Sequence, residues 1–164
     1  GDVYKRQPLY TDGVAWAGLC FAMYSAVCFV FSFALPGIAR RLGRKLTHGL
    51  CLLCGAAGLL SVAVIHSKYL LLVSMTGVGI AWASTLAMPY AVLAGSLPPA
   101  KTGVYMGIFN FFIVLPEIAA SLGFGWVMAN VLGNNRLAAV VAGGVFLATA
   151  AVLMQRVEDP GQTS

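Results

Sequence analysis

Five stretches of this chain, at about 14–39, 46–65, 69–97, 104–132 and 137–154, contain between them a single Asp, Glu, Lys or Arg, and that residue is Glu117. A transmembrane helix needs roughly 17–25 predominantly apolar residues, so each stretch is long enough to cross a bilayer. In lipid the backbone must satisfy its own hydrogen bonds. The stretches also lack the alternation of barrel strands, so they read as helices. Composition agrees: 60% of the 164 residues are hydrophobic and 9% charged, against about 25% charged in an average soluble domain. The expected fold is an all-α membrane protein of five transmembrane helices, with the lipid bilayer as its first partner.

The helices are joined by short links, which predicts antiparallel neighbours packed as a bundle. Arg40-Arg41-Leu42-Gly43-Arg44-Lys45 forms the first link and His66-Ser67-Lys68 the second. Residues 97–102 and 133–136 form the third and fourth. One set of connections holds Arg40, Arg41, Arg44, Lys45, Lys101 and, past the last helix, Arg156, while the opposite set holds Lys68 and Arg136. Cytoplasmic loops carry the excess of Lys and Arg, which predicts a cytoplasmic Arg/Lys-rich link and a cytoplasmic C-terminus. The net charge of +5 therefore matters through its distribution. No basic patch interleaved with aromatics points to nucleic acid. Residues 158–164 are polar and read as a short disordered tail. Residues 1–7, Gly-Asp-Val-Tyr-Lys-Arg-Gln, resemble translated adapter sequence and are set aside as an artefact, leaving 8–157 as the transmembrane bundle.

Glu117 is the residue that most asks for a role. An acid at the centre of a spanning helix disfavours insertion by roughly 2.5–3.5 kcal/mol, and this one follows Pro116. Asn110, Glu117 and Ser121 fall within about 40° of one another at 100° per residue. One polar stripe thus marks an otherwise apolar helix. Two readings stay open: a structural acid bonded to a neighbouring helix, or an acid lining a solute or proton path. On the third helix Ser74, Gly77, Ala81 and Thr85 form a small, mildly polar stripe beside Trp82, with Pro89-Tyr90 further on. Hydroxyls and aromatic faces suit sugar rings, and equally suit packing. Ser25 and Ser32 share a face of the first helix.

Other features read as structure. Small residues recur as Gly55/Gly58, Gly77/Gly79, Gly103/Gly107, Gly123/Gly125 and Gly143/Gly144, positions that let helices approach closely. Pro36, Pro89 and Pro116 each free a backbone carbonyl, a feature of transporter helices. Cys51 and Cys54 have CxxC spacing inside a helix, without a second ligand pair, and read as packing. His48 and His66 lie near helix ends on opposite sides, read as interfacial, and cannot share a metal. With no GxSxG, HExxH, P-loop or paired intramembrane aspartates, no enzymatic chemistry is expected, and neither a metal nor a resident cofactor.

Two parts of the chain carry a resemblance. Pro36-Gly-Ile-Ala-Arg40-Arg41-Leu-Gly43-Arg44-Lys45 resembles the G-x-L-A-D-R-x-G-R-K loop of the major facilitator superfamily. It keeps Arg41, Gly43, Arg44 and Lys45, and departs at Pro36, where Gly is usual, and at Arg40, where an acid is usual. Residues 79–90 (GIAWASTLAMPY) and 103–116 (GVYMGIFNFFIVLP) look like the sucrose/maltose-type sugar–proton symporters of that superfamily. At Glu117 those proteins commonly carry Gln.

The resemblance implies helices eight to twelve of a twelve-helix transporter, so that the chain is a fragment whose partner is a missing N-terminal half. It implies proton-coupled uptake of a sugar, a disaccharide such as sucrose or maltose, with the proton as coupling ion, in a bacterial inner membrane. Asn110, Glu117, Thr85 and Trp82 would face the substrate and proton pathway, and Arg41, Gly43, Arg44 and Lys45 would form the cytoplasmic gating loop. The alternatives are a transporter of another small solute and a structural or assembly subunit of a membrane complex.

Overall fold

The computed structural model describes residues 2–98 and 101–158. The chain is all-helical, with five helices in order: α1 (Asp2–Leu42), α2 (Arg44–Ser61), α3 (Lys68–Ala94), α4 (Thr102–Asn130) and α5 (Arg136–Met154). Tyr10–Leu42 of α1, α3, α4 and α5 are long and apolar enough to cross a membrane. The fifth expected span is less clear-cut. Within α2, Arg44 and Lys45 occupy the first turn and the helix stops at Ser61, whereas the expected stretch ran on to 65. Turns at Ser61–Ile65 carry the chain onward. Beyond Glu158, the tail expected to be disordered lies outside the described residues, as does part of the 97–102 link.

The outer surface is apolar. Phe112 is 74% exposed and Leu122 82%, with Phe33 and Phe146 similarly bare. Contiguous apolar area on this scale is unsuited to water and suited to lipid, so the chain is a membrane protein.

The helices share the work unequally. α3 lies between α1 and α2, and α5 packs on the far side of α2. Trp16 meets Tyr69, Tyr24 lies against Gly79, and Leu35 clusters with Met88, so α1 and α3 run parallel. α2 runs antiparallel to both: Ser61 bonds Ser74 while Arg44 reaches Ala91. At the start of α3, Trp16 Nε1 donates to the Lys68 carbonyl at 3.0 Å, and the Lys68 ammonium lies 4.9 Å from the Trp16 ring centroid. This cation–π contact ties the open ends of α1 and α3 together.

The first link is much shorter than its charge pattern suggests. Arg40, Arg41 and Leu42 are still helical, and α2 begins at Arg44, so Gly43 alone breaks the chain. Its φ of 84° is open to glycine and costly for residues with a Cβ. One residue therefore reverses the chain between antiparallel helices. Pro36, Pro89 and Pro116 all sit inside continuous helices.

Candidate functional site

The seam between α2 and α3 is built on a 3–4 spacing. On α3, Ser74, Gly77, Ala81, Ser84, Met88, Ala91 and Gly95 follow one another at intervals of three and four residues. They face Arg44, His48, Cys51, Gly55 and Gly58 of α2, similarly spaced. Small side chains bring the backbones together. A Cβ added at Gly58 would fall 2.5 Å from the Ser74 carbonyl oxygen, and one at Gly77 would collide with the carbonyl of Cys54. Such a spacing keeps one face of each helix turned to its partner.

The expected Ser74–Gly77–Ala81–Thr85 stripe is thus a packing seam along its first three members, and Ser84 replaces Thr85 in it. At 100° per residue Ser84 lies nearer than Thr85 to the mean direction of the seam residues. Thr85 is exposed, its hydroxyl bonded 2.9 Å from the carbonyl of Ala81 in its own helix.

Polar groups lie within the seam. His48 Nδ1 and Ser84 Oγ are 2.8 Å apart, with His48 6% exposed and Ser84 0%. His48, one turn into α2, is buried against α3. Because α2 starts at Arg44 without a loop, His48 already stands on the helix face turned to α3. Ser61 Oγ and Ser74 Oγ are 2.7 Å apart at the other end. Between them Cys51 is buried with Leu35 and Met88, while Cys54 is exposed, and both are free thiols. Thr47, 1% exposed, has a hydroxyl with no hydrogen-bond partner among the described residues.

The proposed pathway residues lie apart from this seam and are all exposed. Trp82 lines an apolar hollow of about 560 Å³ with Trp16, Phe21, Tyr24 and Met75. Asn110 lies on a shallower one of about 180 Å³ with Gly107, Phe111 and Val114, all from α4. The two hollows share no residue. Asn110 accepts a hydrogen bond from the Tyr90 hydroxyl at 2.6 Å, and Phe109 meets the Tyr90 ring edge-on with centroids 5.3 Å apart. This joint fastens α4 to α3. Glu117 stands two turns further along α4, a helix in which no described residue is buried.

Arg41, Gly43 and Arg44 line one hollow of about 690 Å³ at the α1–α2 corner, joined by Arg40, Pro36 and Met88. Arg44 donates to the Ala91 carbonyl, and its guanidinium covers Gly95. It thereby staples the start of α2 to the end of α3. Lys45, half-buried, follows it in the first turn of α2.

Sequence reasoning missed the His48–Ser84 pair and the Arg44–Ala91 staple. The available signal was the 3–4 spacing of small and polar residues from Ser74 to Gly95. Among the described residues, no group of three His, Cys, Asp or Glu side chains could hold a metal ion. No protein-family model matches the chain, and no solved structure matches it. The transporter resemblance therefore stands on the residues that carry it.

Proposed function

We propose that the chain supplies one wall of the solute pathway in a secondary active transporter, taking up a sugar together with protons. The observation that supports this reading most is the contrast within the bundle. α1, α2, α3 and α5 pack on one another around α2 and α3, whereas α4 carries Asn110, Glu117 and Ser121 on one stripe with nothing buried. An acid on a bare membrane helix calls for a protein-lined or watered interior. A second half rocking against this one would provide it, with the substrate held near the bilayer midplane between them.

In this reading Asn110, Glu117, Thr85 and Trp82 contact the pathway, and Arg41, Gly43, Arg44 and Lys45 act at the cytoplasmic gate. A disaccharide such as sucrose or maltose follows from the resemblance at 79–90 and 103–116. The partner is the N-terminal half of the same protein, in the inner membrane of a bacterium.

Uptake of labelled sugar into proteoliposomes by the completed protein tests the reading. A proton gradient should accelerate sugar entry, and indifference to the gradient rejects symport. Recovery of the upstream coding sequence tests the architecture, because about six or seven further apolar runs are required.

A second reading, a transporter of a less polar solute, is favoured by one observation. The hollow beside Trp82 is walled by Trp16, Phe21, Leu71, Met75 and Val78, with little to bond a sugar hydroxyl. Competition of sugar uptake by aromatic solutes separates the two.

A further inference from the structure

The α1–α2 corner carries more positive charge than a helix joint requires. Arg40 and Arg41 close the last turn of α1, and Arg44 and Lys45 open α2 one residue later. No Asp or Glu occurs anywhere between Asp12 and Glu117, so α2 and α3 supply no carboxylate to balance them. Asp12 lies roughly 40 Å away along α1 at 1.5 Å per residue. Glu158 is the described carboxylate on this side, just past the end of α5, where Gln155 meets Gly49.

The charge stands over apolar surface. Arg40 and Arg41 are exposed and line two hollows at once. One, of about 690 Å³, lies between the end of α1 and α3, with Pro36, Leu42, Ala87 and Met88 among its walls. The other, of about 380 Å³, is formed by Ala34, Gly37 and Ile38 together with the same two arginines. Residues 34, 37, 38 and 41 share one face of α1, so this hollow follows the helix for about 10 Å. Gly37 has no atom close to where a Cβ would stand except an Arg40 guanidinium nitrogen at 3.9 Å. A third contribution comes from the backbone. α2 starts at Arg44, its N-cap Gly43 offers no side chain to cap it, and the free N–H groups of such a helix end favour an anion.

We propose that this corner binds the phosphate of an anionic phospholipid, held by Arg40 and Arg41, with an acyl chain along α1 over Ala34, Gly37 and Ile38. Guanidinium groups match phosphate oxygens in pairs, and basic pockets between membrane helices take anionic headgroups. A free phosphate would use the arginines and leave the apolar groove empty, which is why the lipid is the occupant. The site depends on the membrane placement of α1 and is independent of the transport reading, because its test is an equilibrium binding measurement.

The test is native mass spectrometry of the full chain released from detergent, titrated with phosphatidylglycerol, phosphatidylcholine or inorganic phosphate. Phosphatidylglycerol should bind saturably and more tightly than phosphatidylcholine. Arg40→Gln and Arg41→Gln should each weaken it about fivefold, and Lys101→Gln, a basic residue off the site, should leave it unchanged. Gly37→Leu should weaken phosphatidylglycerol with no effect on inorganic phosphate. Circular dichroism of each variant should match the parent.

Equal binding of the two lipids overturns the proposal, as does equal weakening by Lys101→Gln, which would mean diffuse surface charge. Displacement of phosphatidylglycerol by equimolar inorganic phosphate overturns the lipid assignment in favour of a free-anion site.

Discussion

α3 and α4 are similar in length and apolarity, yet their glycines have opposite surroundings. On α3, a Cβ at Gly77 would strike the Cys54 carbonyl, and one at Gly79 would fall 2.5 Å from the Tyr24 carbonyl oxygen. On α4, a Cβ at Gly103, Gly107, Gly123 or Gly125 would meet nothing within 4 Å. Between helices in lipid there is no hydrophobic drive, so association depends on close packing and interhelical hydrogen bonds. α3 has both on two sides. α4 has the Tyr90–Asn110 bond and the Tyr90–Phe109 contact at one end. A small residue in a membrane helix thus marks a surface that can be approached closely, and whether it is approached depends on the partner.

The sharpest break of this comparison is a matched pair of substitutions. Gly77→Leu should destabilise the bundle by about 1–3 kcal/mol or more, because carbonyl backbone, not a flexible side-chain tip, occupies the space. Gly107→Leu should lie within about 0.5 kcal/mol of the parent. Unfolding of the full chain in mixed micelles, followed by circular dichroism, measures both. Equal losses would mean that α4 is packed as tightly as α3.

The next test sits inside the seam. His48→Ala takes the imidazole partner from the buried Ser84 hydroxyl, and Ser84→Ala removes the same bond from His48. A double-mutant cycle should return a coupling of about 0.6–1.7 kcal/mol, the range found for hydrogen bonds between membrane helices. Thr47→Val has the opposite sign. It removes a buried hydroxyl that has no partner among the described residues and keeps the shape, so it should stabilise by about 1 kcal/mol. A destabilising Thr47→Val would show that the hydroxyl is bonded.

The helices were legible in the sequence because lipid leaves a chain little choice: apolar runs of sufficient length must be helical. Their ends were less so. The run Arg40–Lys45 reads as a loop by charge, but glycine at a positive φ turns the chain in one residue and leaves the charges on helix ends. The seam was half legible: Ser74, Gly77 and Ala81 lie in it, but a four-residue step from Ala81 points to Thr85, whereas the packed face takes the three-residue step to Ser84. The His48–Ser84 pair was not legible, because which face of α2 is covered by α3 is decided by packing. For the proposed pathway, sequence points to Asn110, Glu117, Thr85 and Trp82, all exposed, and the fold leaves Asn110 and Trp82 on separate hollows. What would bring such residues together is a partner surface, which a single chain's pattern does not encode.

A smaller effect is expected at the α3–α4 joint. Tyr90→Phe removes the hydroxyl that bonds Asn110 while keeping the ring against Phe109. The loss should be under about 1 kcal/mol, with a broader α3–α4 distance distribution between spin labels. An unchanged distribution would show that the aromatic contact alone holds the joint.

The smallest effect on stability belongs to Glu117. No described residue of α4 is buried, so Glu117→Gln should change the unfolding free energy of the chain by less than about 0.5 kcal/mol. On the proposed transporter reading, its consequence appears instead in transport by the completed protein. An acid that gains and loses a proton in the cycle gives uptake a pH dependence that Gln cannot reproduce. Loss of that dependence, with the sugar still bound, would assign proton coupling to Glu117. An unchanged profile would remove Glu117 as the proton carrier of that reading and leave the carboxylate a structural role.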